Sequence, residues 1–118
     1  MLMHKADCIF CKIVRKEIPA RVVFENNKIL AFEDVNPRAP VHILIIPKYH
    51  IEKTSDLTKG NVHLIGELVL AAKALADQKG IHESGYRIVL NCNKDAGQEV
   101  FHLHLHLMGG RKFTWPPG

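Results

Sequence analysis

His102-Leu103-His104-Leu105-His106-Leu107 alternates imidazole and leucine without a break, and a strand turns successive side chains to opposite faces. The stretch therefore predicts a strand over Phe101 to Met108, with three imidazoles on one face and three leucines on the other. Imidazoles two residues apart on such a strand stand about 6–7 Å from each other. The leucine face calls for burial against a helix. The imidazole face must border a cleft or a satisfied polar layer, because an unpaired buried ring nitrogen is costly. Beyond the strand, Gly109-Gly110 breaks the pattern and Trp115-Pro116-Pro117-Gly118 reads as an extended tail.

Working back along the chain, Tyr86 to Asn91 is an apolar run and Asn93-Lys94-Asp95-Ala96-Gly97 a turn-rich connection. From Thr58 to Lys79 the apolar residues cover more than one helical stripe, with Gly80 placed as the residue that ends the helix. One stripe can cover a sheet. Gly66 and the alanines leave room for a second backbone, which points to a helix-mediated dimer. Val41 to Ile46 is a strand apolar on both faces except for His42, whose bland reading is a core histidine bonded to a carbonyl. Arg21 to Glu25 and Lys28 to Asp34 form a hairpin about Asn26-Asn27, a pair that tolerates the positive φ angles of a tight turn. Asp7 to Glu17 has helical spacing, and Pro19 forbids its continuation. The expected fold is one α+β domain over residues 1–118. It has a five-stranded, mostly antiparallel sheet, one short N-terminal helix and one long helix, both on one side of the sheet. Residues 1–6 are expected to be a flexible N-terminus and 109–118 a C-terminal tail.

A chain of 118 residues, 47% apolar and 24% charged, buries roughly two thirds of its unfolded surface on folding and needs no staple to do so. No apolar run approaches the roughly 20 residues of a membrane span. The first residues lack the apolar core of a signal peptide, so a cytoplasmic location is expected and no membrane partner. Sixteen Lys+Arg against 12 Asp+Glu give +4. That balance favours anionic ligands, but the basic residues are scattered and aromatics make up 7% of the chain, which excludes a dedicated nucleic-acid binder. Three cysteines, two of them spaced as Cys8-Ile9-Phe10-Cys11, suit a metal or redox role better than a secreted disulfide framework. Cys92 has no evident partner and is expected to pack as a small apolar residue.

Eight histidines in so short a chain, three of them within five residues, leave three readings open. The row can be the solvated face of an edge strand. Two imidazoles at i and i+2 can share a zinc with a third ligand. Or the imidazoles can divide nucleophilic and acid/base work near neutral pH. Asp95-Ala96-Gly97-Gln98-Glu99 runs into the strand, and a glycine-containing turn can offer successive backbone N–H groups to a phosphate. Phosphate beside imidazoles favours phosphoryl or nucleotidyl transfer.

His102-Leu-His104-Leu-His106-Leu-Met resembles the histidine-triad (HIT) motif. The resemblance extends from Asp7 through Ile18-Pro19, Phe32 to Val35 and Ala39-Pro40-Val41-His42 to Gly109-Gly110-Arg111 and Trp115-Pro116-Pro117-Gly118. The last two segments resemble the Hint branch, the histidine-triad nucleotide-binding proteins. That resemblance implies a homodimer binding purine nucleoside monophosphates and hydrolysing their phosphoramidates. The alternatives are a dinucleoside polyphosphate hydrolase, a non-catalytic nucleotide-binding scaffold dimer and a zinc hydrolase using the triad as ligands. By position, His104 is implied as nucleophile, His106 as phosphate contact and proton donor, and His42 as support.

The same resemblance places Asp34 on the ribose hydroxyls, with Phe32, Val35, Ile9, Phe10 and Ile18 around the base. Asp34 before a proline-rich loop also has the character of a turn former. Backbone N–H groups of Gly97, Gln98 and Glu99, with Asn91 nearby, would stabilise phosphoryl charge. Glu99 stands where some relatives carry serine, and a carboxylate beside phosphate repels it, leaving its backbone as the useful group. Trp115 is implied at the edge of the partner subunit's pocket. Cys8 and Cys11 with His50 and His102 are implied as a structural zinc set, and no catalytic metal is expected.

Overall fold

The computed structural model describes residues 5–118; residues 1–4 of the expected flexible N-terminus lie outside the described residues. The elements run α1 (Ile9–Val14), β1 (Val22–Glu25), β2 (Ile29–Glu33), β3 (Val41–Pro47), α2 (His63–Gln78), β4 (Tyr86–Val89) and β5 (Leu105–Gly109), with 3-10 turns at Thr54–Asp56 and Lys94–Ala96. The five strands form one sheet in the order β1-β2-β3-β5-β4. Every pairing is antiparallel.

Residue parity decides what each face carries. Ile29, Ala31, Ile43, Ile45, Leu103, Leu105 and Leu107 pack against Leu64, Leu68, Ala72, Leu75 and Ala76 of α2. Leu30, Phe32, Leu44 and Ile46 point the other way and pack against Phe10 and Ile13 of α1. The two helices therefore cover opposite faces of the sheet, a correction to the expectation of one side. The physical reason lies in β2 and β3, where Ile29 to Phe32 and Ile43 to Ile46 are apolar without a break, so that both faces are hydrophobic and each demands cover.

Local boundaries follow backbone chemistry. α2 ends in a paired cap: Gly80, at φ 73, donates to the Asp77 carbonyl, and Ile81 N–H donates to that of Ala76. α1 stops before the expected Glu17, because the chain turns left-handed at Lys16, φ 64. The β1–β2 hairpin closes without positive φ at either asparagine. Asn26 Oδ1 accepts from the N–H groups of Lys28 and Ile29, both at 2.8 Å, so a side chain shapes the turn. β5 starts at Leu105, not Phe101, because its ladder with β3 begins at the Ile45–Leu105 pair. No helix among the described residues is long and apolar enough to cross a membrane.

Candidate active site and metal centre

Although His102 and His104 precede the β5 ladder, the alternation persists. Leu103 N–H donates to the Ile51 carbonyl at 2.6 Å, holding the chain extended where strand pairing has not begun. Leu103, Leu105 and Leu107 are buried under α2. The three imidazoles face the α1 side, together with Asp34, His42 and Leu44. Phe10 stands edge-on to His104 with ring centroids 5.2 Å apart, to His102 at 5.8 Å and to Phe32 at 5.4 Å. An apolar wall thus backs the central imidazole.

Backbone partners settle the ring protons. A carbonyl can only accept, so the 2.7 Å contact of His104 Nδ1 with the His102 carbonyl places the proton on Nδ1 and leaves Nε2 with its lone pair. His42 Nδ1 accepts the Arg38 N–H at 3.0 Å, so a neutral His42 carries its proton on Nε2. That nitrogen lies 2.9 Å from His106 Nδ1 and 3.3 Å from Asp34 Oδ2. Accepting at Nδ1 from His42, the neutral His106 keeps its proton on Nε2. The site therefore presents a bare nitrogen on His104 beside an N–H on His106, their ring centroids 5.0 Å apart.

Burial disfavours the charged form of each ring. His106 is pushed down to about 4, by burial first and then by its histidine neighbours His104 and His42. His104 and His42 are lowered from the ordinary imidazole value by burial, against the opposing pull of Asp34. All three are neutral near pH 7, which suits a nucleophile that must not be protonated.

Around the triad the implied binding residues divide. Asp34 is both a turn former and a neighbour of the triad: Oδ1 accepts the Asn36 N–H at 2.8 Å, and Oδ2 faces His42. Phe10, Phe32 and Ile18 pack into one apolar cluster, whereas Ile9 is 50% and Val35 100% exposed. In the turn before the triad, Gly97 N–H donates to the Lys94 carbonyl and Gln98 N–H to that of Asn93. Those two groups are engaged within the turn, which narrows the expected anion cradle to the Glu99 N–H. The buried Gln98 side chain accepts the Asn93 N–H at 2.8 Å and donates to the carbonyls of Glu52 at 2.8 Å and Val100 at 3.1 Å. Asn91 is partly buried just after β4, and Trp115 is exposed. Cys92 does not pack as an apolar residue: it is partly exposed and donates to Ser55 Oγ at 3.6 Å. Hydrogen bonding with Thr54 and Ser55 holds its thiol below its usual range.

Cys8, Cys11, His50 and His102 bring one ligand atom each within 4.8 Å of one another. Cys8 Sγ to His102 Nδ1 is 3.4 Å, Cys11 Sγ to His50 Nδ1 3.3 Å and to His102 Nδ1 3.6 Å, and the two Nδ1 atoms are 3.1 Å apart. A tetrahedral zinc with Zn–S near 2.3 Å and Zn–N near 2.0–2.1 Å has ligand-to-ligand edges of about 3.3 to 3.8 Å, so the cluster fits that ion. His102 Nε2 donates to the Pro47 carbonyl at 2.8 Å, which turns a bare Nδ1 into the cluster as a metal-ligating histidine requires. Asp34, His42 and His106 also come within 4.8 Å, but there the ring protons are wrong. A neutral His42 ligating through Nε2 needs its proton on Nδ1, where the Arg38 N–H already donates. A proton, not a cation, suits that place.

The sequence alone does not say which backbone groups hold the rings: the Arg38 N–H and the carbonyls of Pro47 and His102. Backbone atoms carry no residue signature, so only the folded chain displays them.

A five-stranded antiparallel sheet with helices on both faces, and a His-x-His-x-His row running into its β5 strand beside a buried fourth histidine, defines a histidine-triad domain. The chain belongs to the HIT family, whose domain it matches over residues 15–113. It is 52% identical over 112 residues to a HIT-like protein of Synechocystis, covering 95% of this chain and 97% of that one. With the 14 kDa zinc-binding protein of Zea mays it shares 49% identity over 119 residues, 98% of this chain and 91% of the relative. The crystal structure of a HIT family hydrolase from Legionella pneumophila superposes with a TM-score of 0.93 at 54% identity, covering 95% of this chain and all of that one.

Proposed function

We propose that the protein is a nucleotide-binding hydrolase that cleaves the P–N bond of purine nucleoside phosphoramidates, of the AMP–amine type, through a nucleotidyl-histidine intermediate. One observation carries this reading: His104 offers a bare Nε2 while His106, beside it, offers an N–H. In the proposed reaction the His104 lone pair forms a bond to the α-phosphorus as the P–N bond breaks. The departing amine takes a proton delivered by His106, since an amine leaves poorly without one. The negative phosphoramidate offsets the burial that keeps His106 neutral, so the proton it delivers is taken up in the complex. Water, giving up a proton to the His106 that the amine has left neutral, then displaces His104 from phosphorus, yielding the nucleoside monophosphate and regenerating the neutral His104 ring.

The Asp34 carboxylate can accept from the two ribose hydroxyls, with exposed Ile9 and Val35 and the edge of Ile18 flanking the base over buried Phe10 and Phe32. The Glu99 N–H and Asn91 lie near the phosphoryl oxygens. Cys8, Cys11, His50 and His102 would hold a structural zinc, tying α1 to the end of β3 and the start of the triad; the fit of the cluster to a tetrahedral ion and a relative named as a zinc-binding protein support that reading. The active form is a homodimer, and the setting is cytoplasmic.

The test is AMP release from adenosine phosphoramidate by the wild type and His104→Ala, with and without chelator. Turnover that persists in chelator while the structural zinc stays bound, and that disappears in His104→Ala, supports the proposal. AMP binding with no turnover by either protein makes the chain a binding module. Turnover confined to dinucleoside polyphosphates makes phosphate, not an amine, the leaving group.

A further inference from the structure

The C-terminal tail is bonded into the loop that sets the protonation of the triad. Arg111 Nε donates to the Arg38 carbonyl at 3.0 Å, and its Nη1 to the Lys112 carbonyl at 3.1 Å. Its guanidinium lies over the Phe113 ring, 4.2 Å from the centroid, and Arg87 of β4 lies 5.0 Å from the same centroid. Arg87 Nη2 donates to the Thr114 carbonyl at 3.0 Å. Neither guanidinium has an acidic partner among the described residues, so their directed bonds are to the backbone of the tail and of the 34–40 loop. Gly110, at φ 91, lets the tail pass so near that loop that a Cβ there would stand 2.9 Å from Pro40 Cβ.

Arg38 is where this clamp meets the active site. Its carbonyl takes the Arg111 bond, and its N–H donates to His42 Nδ1. From His42 the hydrogen bonds continue to His106. In an unconstrained imidazole the two neutral tautomers are close in energy, so which nitrogen carries the proton is decided by the partner at the other one. A polar, proline-flanked loop, Asn36-Pro37-Arg38-Ala39-Pro40, is otherwise exposed at Asn36, Pro37, Arg38 and Pro40, and a loose Arg38 peptide would not hold the His42 proton on one nitrogen.

We propose that Arg111, oriented by Phe113, is a positioning residue for the proton relay: by fixing the Arg38 backbone it holds His42 as the Nε2–H tautomer, and His42 in turn holds His106 with its N–H toward the substrate. The tail thereby acts on acid catalysis in its own subunit without touching the reacting atoms. The kinetic part of this inference rests on the phosphoramidase reading; the tautomer part does not.

The experiment is long-range ¹H–¹⁵N correlation of the histidine rings in the full chain near pH 7.5, where all three site histidines are neutral. The wild type is expected to show one tautomer at both His42 and His106, with the protons on Nε2. Arg111→Met is expected to show mixed protonation at both rings, and Arg111→Lys, which keeps a donor for the Arg38 carbonyl, to restore it. Single tautomers in Arg111→Met would overturn the proposal. Should that variant give no folded spectrum, Phe113→Leu, which removes the stacked ring and keeps every donor, must show the mixture or the proposal fails. In turnover, Arg111→Met is expected to lower kcat about tenfold with KM changed less than about twofold, as for partial loss of a general acid. A wild type without phosphoramidase activity would end the functional proposal and leave the tautomer result standing.

Discussion

His104 donates its Nδ1 proton to the carbonyl of His102 at 2.7 Å, while His102 turns its own Nδ1 into the Cys8–Cys11–His50 cluster. The proposed nucleophile thus takes its tautomer from the backbone of a residue whose side chain belongs to the metal set. Whatever holds the His102 ring also holds the carbonyl that aims His104.

Zinc binding is therefore expected to show in both stability and activity. Protein purified without chelator should contain about one zinc per chain, and Cys11→Ser far less. Loss of the ion should remove at least ~2 kcal/mol of stability, which lowers Tm by roughly 8 °C in a chain of this size. It should also reduce kcat through His102. Elemental analysis beside a thermal melt is the check, and an unchanged Tm in a zinc-free variant would refute the structural role.

The leucine half of the triad strand carries a separate expectation. Leu105 is fully buried between Ile45 and the α2 residues, so Leu105→Ala should cost about 2–5 kcal/mol by loss of transfer energy plus a cavity. Urea unfolding measures it. A cost below about 1 kcal/mol would mean that this face collapses around the gap.

How much of this was legible beforehand depended on whether side chains or backbone did the work. The His-Leu alternation placed imidazoles and leucines on their faces without aid from the rest of the chain, and Gly80 was readable as a cap. The hairpin was foreseen but by the wrong means, since Asn26 acts through its side chain and not through positive φ. The second covered face went unread because Ile9, Phe10 and Ile13 make a helix too short for periodicity to say which side it packs on. At the site, residue types pointed to the triad, His42 and the cysteines. The carbonyls and N–H groups that assign each ring its proton have no trace in a one-letter sequence.

Stability should fall on acidification in a window set by the triad. His106 titrates near 4 in the folded chain against about 6.5 in the unfolded one. The folded state therefore binds fewer protons between those values, and its stability is full above about pH 6.5 and lost progressively as pH falls toward 4. His42 and His104, also lowered, act in the same direction. Urea midpoints at pH 7 and 4.5 should differ more for the wild type than for His106→Asn. Equal differences would show that His106 does not titrate low.

Val62, which caps α2, and Gly66, Val69 and Leu70 within it recur at helical spacing on the side turned away from the core. Val69 is 41% and Leu70 65% exposed, and nothing stands within 4 Å of a Cβ built on Gly66. Ile88 lies on β4, at the end of the sheet order, and its partner Leu107 points toward α2. An exposed apolar stripe beside an open strand edge fits a second copy of the chain, with edge pairing continuing the sheet. The wild type should sediment at twice the 13.3 kDa of the chain, and Leu70→Glu, which puts like charges together across a two-fold contact, at the chain mass. Trp115, 83% exposed in the single chain, would then lose its cover: its fluorescence should shift to the red in Leu70→Glu if the partner subunit receives it, and should not move if the tail is anchored only within its own subunit.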